Sequence, residues 1–91
     1  MITNVIINKE RFVGLDELLK RLETEIFLSS KFQEKHKHSN SEWEKEQMTR
    51  YYHGKIVAYT DLYHELGGSG LQTKRMKNLG SLEYHKEKRE Q

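Results

Sequence analysis

The chain has 91 residues, and none is cysteine or proline. That excludes a disulfide framework, a thiolate metal site and a thiol nucleophile, and it leaves no residue that forbids helix. Lys and Arg total 16 against 14 Asp and Glu, a net charge of +2, far from the field of a protein built mainly to neutralise phosphates.

Residues 1–13 read as a β segment. Val5, Ile6 and Ile7 are β-branched, and Phe12 and Val13 follow a polar stretch, which suggests a hairpin of two very short strands or one strand pairing between subunits. Gly14 breaks the pattern, and Asp16 is placed to cap a following helix. From Leu15 to Lys37 the residues Leu15, Leu18, Leu19, Leu22 and Ile26 recur at spacings of three and four, making one apolar stripe of a helix. Phe27, Leu28 and Phe32 fall off that stripe. They either cover the N-terminal segment or tail, or form a second contact surface.

His36 to Asn40 form a connector. Ser41 and Glu44 have the spacing of a capping box, in which each side chain satisfies the other's free backbone amide. A second helix follows over 42–66, with Met48, Tyr52, Ile56, Tyr59, Tyr63 and Leu66 on one face. Gly54 and Ala58 make a small edge that permits close backbone approach. Residues 67–70, Gly-Gly-Ser-Gly, read as a helix stop at Gly67 and a flexible linker. Residues 71–91 carry six bases and three acids and read as a basic tail, partly helical or disordered. Within it Leu71, Met76 and Leu79 could dock a short helix ending at Gly80.

The expected fold is therefore mainly α: a β segment, an antiparallel two-helix hairpin within a single small domain of residues 1–66, and a basic tail. Two helices with wide apolar stripes lack enough further chain to cover them. Dimerisation into a helical bundle is the expected completion. No apolar run approaches the ~20 residues that span a bilayer, so no membrane association is expected. No secretion signal follows Met1, and a cytoplasmic location is expected.

Four of the five tyrosines, Tyr51, Tyr52, Tyr59 and Tyr63, lie within thirteen residues of the second helix. Tyrosine buries an apolar body and keeps a hydroxyl that needs a partner, which suits a half-wet core seam or a recognition surface. Trp43, on the polar side of the same helix, favours recognition. Lys55 falls near the centre of the apolar stripe and must snorkel or find an acid. The histidines read as solvated: His53 and His64 are eleven residues and roughly 16 Å apart on one helix, too far to share an ion. No metal or cofactor is expected. No nucleophile elbow is present, and the acids Glu42, Glu44 and Glu46 suit a solvated first turn.

These features point to a non-enzymatic interaction protein that forms a homodimer and binds another protein. The expected recognition residues are Trp43, Tyr52, Tyr59 and Tyr63, with Phe27, Leu28 and Phe32 as a second patch. A single alanine and abundant Lys, Glu, Ile, Asn and Tyr suggest AT-rich coding. A phage or mobile-element accessory protein acting on a host protein is one concrete form of this reading. The alternative is a nucleic-acid-binding regulator that uses Lys74, Arg75 and Lys77 on phosphates.

Overall fold

The computed structural model describes the backbone of residues 5–90 and the side chains of residues 14–90. It contains α1 (Val5–Lys37), α2 (Glu42–Glu65) and α3 (Gly70–Glu90). Among the described residues there is no strand. At ~1.5 Å per residue these helices are about 50, 36 and 32 Å long, within a molecule of 54 × 26 × 20 Å.

The expected β segment is corrected by α1. Residues 1–4 lie outside the described residues, but residues 5–13 are helical and continuous with the rest of α1. A strand needs a neighbour to satisfy its backbone, whereas a helix satisfies its own. Once a helix is nucleated, each further residue adds a hydrogen bond, and one exposed Gly14 costs only ~1 kcal/mol. Asp16 accordingly lies inside α1 and is not its cap.

The expected α2 is observed almost residue for residue. Ser41 adopts an extended backbone at φ −89° and ψ 118°, and its Oγ accepts from the Glu44 amide at 3.2 Å. Only half of the capping box forms. The Ser41 amide donates instead to Ser39 Oγ at 3.1 Å, which frees the Glu44 carboxylate to meet His36 Nδ1 at 3.2 Å. At the other end Gly67 takes φ 95°, and the Gly68 amide donates to Tyr63 O at 2.8 Å. A Cβ at Gly68 would collide with the Tyr63 ring. Ser69 Oγ then accepts from the Leu71 and Gln72 amides at 3.1 and 3.4 Å. Residues 67–70 are thus a hydrogen-bonded turn that caps one helix and starts the next, where a flexible linker was expected.

The tail is corrected as well. α3 is one helix that passes through Gly80 without ending there. Gly80 is buried because the α3 backbone runs against α1: a Cβ there would strike the Phe27 carbonyl oxygen and crowd Ser30. The Gln72–Glu23 and His85–Glu34 contacts fix its direction as parallel to α1. α2 runs antiparallel to α1 and brings Thr49 O to Gln33 Nε2 at 3.3 Å.

α1 is the shared element. α2 and α3 each pack along it and scarcely meet one another. The apolar core is small: Leu22, Ile26 and Tyr63, with Leu19, Tyr59, Leu66 and Met76 around them. Beyond it α1 buries Ser30 beside Gly80, and α3 buries Thr73, so much of the α1–α3 seam is polar or small. Between α2 and α3, over α1, lies an open groove of about 330 Å³ lined in part by Ser30, Glu34, His53, Thr60, Lys77 and Ser81.

Candidate interaction surface

The α2 stripe turns Tyr52 and Tyr59 towards α1 while leaving each half-buried. Tyr52 collects aromatic neighbours: Phe32 of α1 at a ring-centroid distance of 5.8 Å, His36 stacked at 5.6 Å, and Tyr51 edge-on at 5.0 Å. Such tilted and edge-on pairs add roughly 0.5–1.5 kcal/mol each beyond area burial. Lys55, one turn further on, lays its ammonium over the rings of Tyr51, Tyr52 and Tyr59 at 5.4, 5.8 and 6.0 Å. Desolvation works to lower its pKa, and the neighbouring tyrosines, Tyr59 foremost, raise it further than that, so the ammonium is held charged. Lys55 therefore neither reaches for an acid nor only snorkels. It caps a tyrosine cluster.

This cluster reaches solvent. Tyr51 is 54% exposed, Leu62 41% and Phe32 36%. At ~100° per residue, Tyr51, Lys55 and Leu62 lie roughly half a turn from His53 and Val57, which face the groove towards α3. The aromatic face thus occupies the flank of the α1–α2 pair that α3 leaves uncovered. Gly54 and Ala58, both exposed, lie at its edge.

The other expected recognition residues divide. Trp43 is 71% exposed, two turns N-terminal to Tyr51 and apart from the cluster. Tyr63 is only 4% exposed, and its hydroxyl donates to Glu23 Oε2 at 2.7 Å, so it belongs to the core and not to a surface. Burial, then the bond and the charge of Glu23, push its pKa up to about 12. Leu28 is half-buried on the α1 flank of Phe32, about 40° away around the helix. Phe27 stands on the α3 side, where its carbonyl meets Gly80, so Phe27, Leu28 and Phe32 do not form one patch.

The basic residues of α3 are also dispersed. Lys74 and Arg75 are exposed, while Lys77 is half-buried and lines the groove. Around the helix Arg75 and Lys77 point about 160° apart. A single phosphate-tracking row is not what their spacing builds.

One cluster was missed by the sequence reasoning. Glu34 Oε2 lies 2.9 Å from His85 Nε2 and 3.2 Å from His38 Nε2. Tyr84 stacks on His38 with centroids 5.8 Å apart, and Lys37 stands 3.8 Å from the other carboxylate oxygen. Burial works to raise the Glu34 pKa, but hydrogen bonds from His85, His38 and Ser81 together outweigh it and hold the carboxyl below its usual range. The i, i+4 spacing of Glu34 and His38 was visible in the sequence. His85 was not, because its segment reads as a basic tail, partly helical or disordered. Among the described residues, these three form a group whose ligand atoms are close enough together to hold a metal ion.

No helix among the described residues is long and apolar enough to cross a membrane. No protein-family model, curated protein or solved structure matches the chain, so the meaning of this surface is carried by its own residues alone.

Proposed function

We propose that this chain is a non-enzymatic interaction protein that self-associates and binds another protein through the aromatic face of α1 and α2. The observation that carries the reading is the continuous series Phe32, Tyr52, Tyr51 and Lys55, flanked by exposed Leu62 and left uncovered by α3. Tyrosines dominate binding hot spots because they bring large, rigid, amphipathic contact area at small entropic cost. Gly54 and Ala58 beside them would let a second helix approach closely. α3 adds support: its Leu71 and Leu82 are 81% and 62% exposed, an unusual loss of apolar burial for a chain with so small a core. An accessory protein of a phage or mobile element that occupies a host protein is the concrete form suggested by the AT-rich composition.

Light scattering across a dilution series tests self-association. The wild type is expected to gain mass with concentration, while Leu62→Glu stays monomeric with unchanged helical circular dichroism. A wild type that is monomeric throughout removes the self-association half. Affinity capture from the native host with wild type and with Tyr51→Ala tests the second half. Recovery of the same partners in equal amounts by both would remove it. Binding to DNA or RNA that falls steeply with salt, and disappears on neutralising Lys74, Arg75 and Lys77, would favour the nucleic-acid alternative instead.

A further inference from the structure

We propose that Glu34, His38 and His85 form a binding site for one divalent transition-metal ion of the zinc class, which ties the end of α1 to α3. Each residue offers one ligand atom, and the three atoms lie within 4.8 Å of one another. Tetrahedral zinc with bonds of 2.0–2.1 Å has ligand–ligand edges of roughly 3.3–3.4 Å. The Glu34 oxygen already sits 2.9 and 3.2 Å from the two imidazole nitrogens. Seating an ion requires the two Glu34 edges to spread by only a few tenths of an ångström, while the His38–His85 edge, no longer than 4.8 Å, adjusts towards the same length.

The supports are built from three directions. Glu34 projects from the last turn of α1. His38 follows one turn later, its backbone amide fastened to Lys35 O at 3.2 Å and its ring stacked on Tyr84. His85 comes from α3, whose approach is set by Gly80 against α1 and by the Lys31–Glu87 ion pair at 2.6 Å. Ser81, one turn before His85 on α3, lines the same groove as Glu34. Such outer partners orient metal ligands and are part of a working site.

Ligand chemistry selects the ion. Two imidazoles and one carboxylate suit zinc and its transition-metal neighbours, whereas calcium and magnesium want a shell of oxygens. One carboxylate leaves a net positive site for a dication, which a fourth ligand of water or hydroxide accommodates. Lys37 contacts the carboxylate oxygen that faces away from the imidazoles, and its half-exposed chain is long enough to swing into solvent. The His38 and His85 side chains are 52% and 40% accessible, so an ion can enter from the connector end of the molecule. His36 takes no part, because its ring is turned to Tyr52 and Glu44.

The test uses the whole chain, stripped with chelator and titrated with zinc alone in a calorimeter, then with cobalt while its visible d–d bands are recorded. One ion per chain is expected, with four-coordinate cobalt bands and a rise in melting temperature that chelator reverses. Glu34→Gln and His85→Ala are each expected to weaken binding by more than about tenfold, while His36→Ala and His53→Ala bind as the wild type does. Should His85→Ala lose helix, His38→Ala decides, because that side chain lies beyond the end of α1. Absence of saturable binding in the wild type overturns the proposal. So does binding that Glu34→Gln and His38→Ala leave intact, or binding that follows His36.

Discussion

Tyr63 is the side chain through which all three helices are linked. It rises from α2 into the core and donates to Glu23 of α1, whose other oxygen accepts from Gln72 of α3 at 3.1 Å. Removing the hydroxyl leaves a part-buried carboxylate short of a donor, so Tyr63→Phe is expected to destabilise by about 1.5–3 kcal/mol. The raised pKa adds a pH signature. Below pH 10 the phenol is protonated in both folded and unfolded chains, and its contribution is fully present. Between pH 10 and about 12 the unfolded chain ionises first, and stability drains away. Two pKa units bound that loss at roughly 2–3 kcal/mol. Urea-unfolding midpoints followed from pH 8 to 12 check it. The wild type should fall more steeply than Tyr63→Phe, and parallel curves would refute the assignment. Sequence placed Tyr63 on the right face of the right helix. It could not separate Tyr63 from Tyr52 and Tyr59, because spacing along one helix does not reveal where its neighbours stop. Burial among the three tyrosines of that stripe is decided by α1 and by the turn at Gly68, which closes over the Tyr63 ring.

At the scale of elements, legibility followed the kind of contact each helix makes. α2 announces itself with an N-cap serine, a continuous apolar stripe and a left-handed glycine, and all three signals were read correctly. The start of α1 was obscured because β-branched residues and a glycine favour strand and break locally, while helix propagation from downstream prevails. α3 reverses the usual pattern. Its buried positions are Thr73 and Gly80, and Leu71 and Leu82 face outward, so apolar periodicity points away from the interface. What holds α3 on α1 is close backbone approach and polar pairing, which a hydrophobic pattern does not register. Two glycines in helix interiors make the contrast measurable. Gly54 meets nothing within 4 Å, and Gly54→Ala is expected to stabilise by about 0.5–1 kcal/mol through reduced chain entropy. Gly80→Ala must push back the backbone at Phe27 and is expected to cost about 1–3 kcal/mol. Thermal melts of the two variants should shift in opposite directions. A rise in melting temperature for Gly80→Ala would mean that α3 does not approach α1 so closely.

At the scale of the molecule, the scant apolar inventory is spent on one small cluster at the middle of α1, and the rest of the fold leans on polar seams. The same geometry explains why the candidate sites were only half legible. The tyrosine cluster lies within one helix and its nearest neighbour, so spacing along α2 gathers its tyrosines, while Phe32 joins them only through the packing of α1. The Glu34–His38–His85 cluster joins positions 51 residues apart across α1 and α3, and only a folded α3 brings them together. Whether residues 70–91 are a tail or a third of the fold is therefore the decisive question about the whole chain. If α3 were a tail, ending the chain at Gly67 would leave a hairpin with an unchanged melting midpoint. The packing predicts otherwise. Truncation uncovers Ser30 along α1, removes Met76 from beside the core, and strips Glu23 and Glu34 of Gln72 and His85 together. Two helices facing each other across Leu22, Ile26 and Tyr63 bury too little surface to offset the ordering of sixty residues. The truncated chain is expected to lose its cooperative thermal transition, followed by circular dichroism at 222 nm, and to expose its backbone amides to rapid hydrogen exchange along α1. A sharp transition at the midpoint of the full chain would show that α1 and α2 hold each other unaided, and that the seams described for α3 contribute nothing to stability.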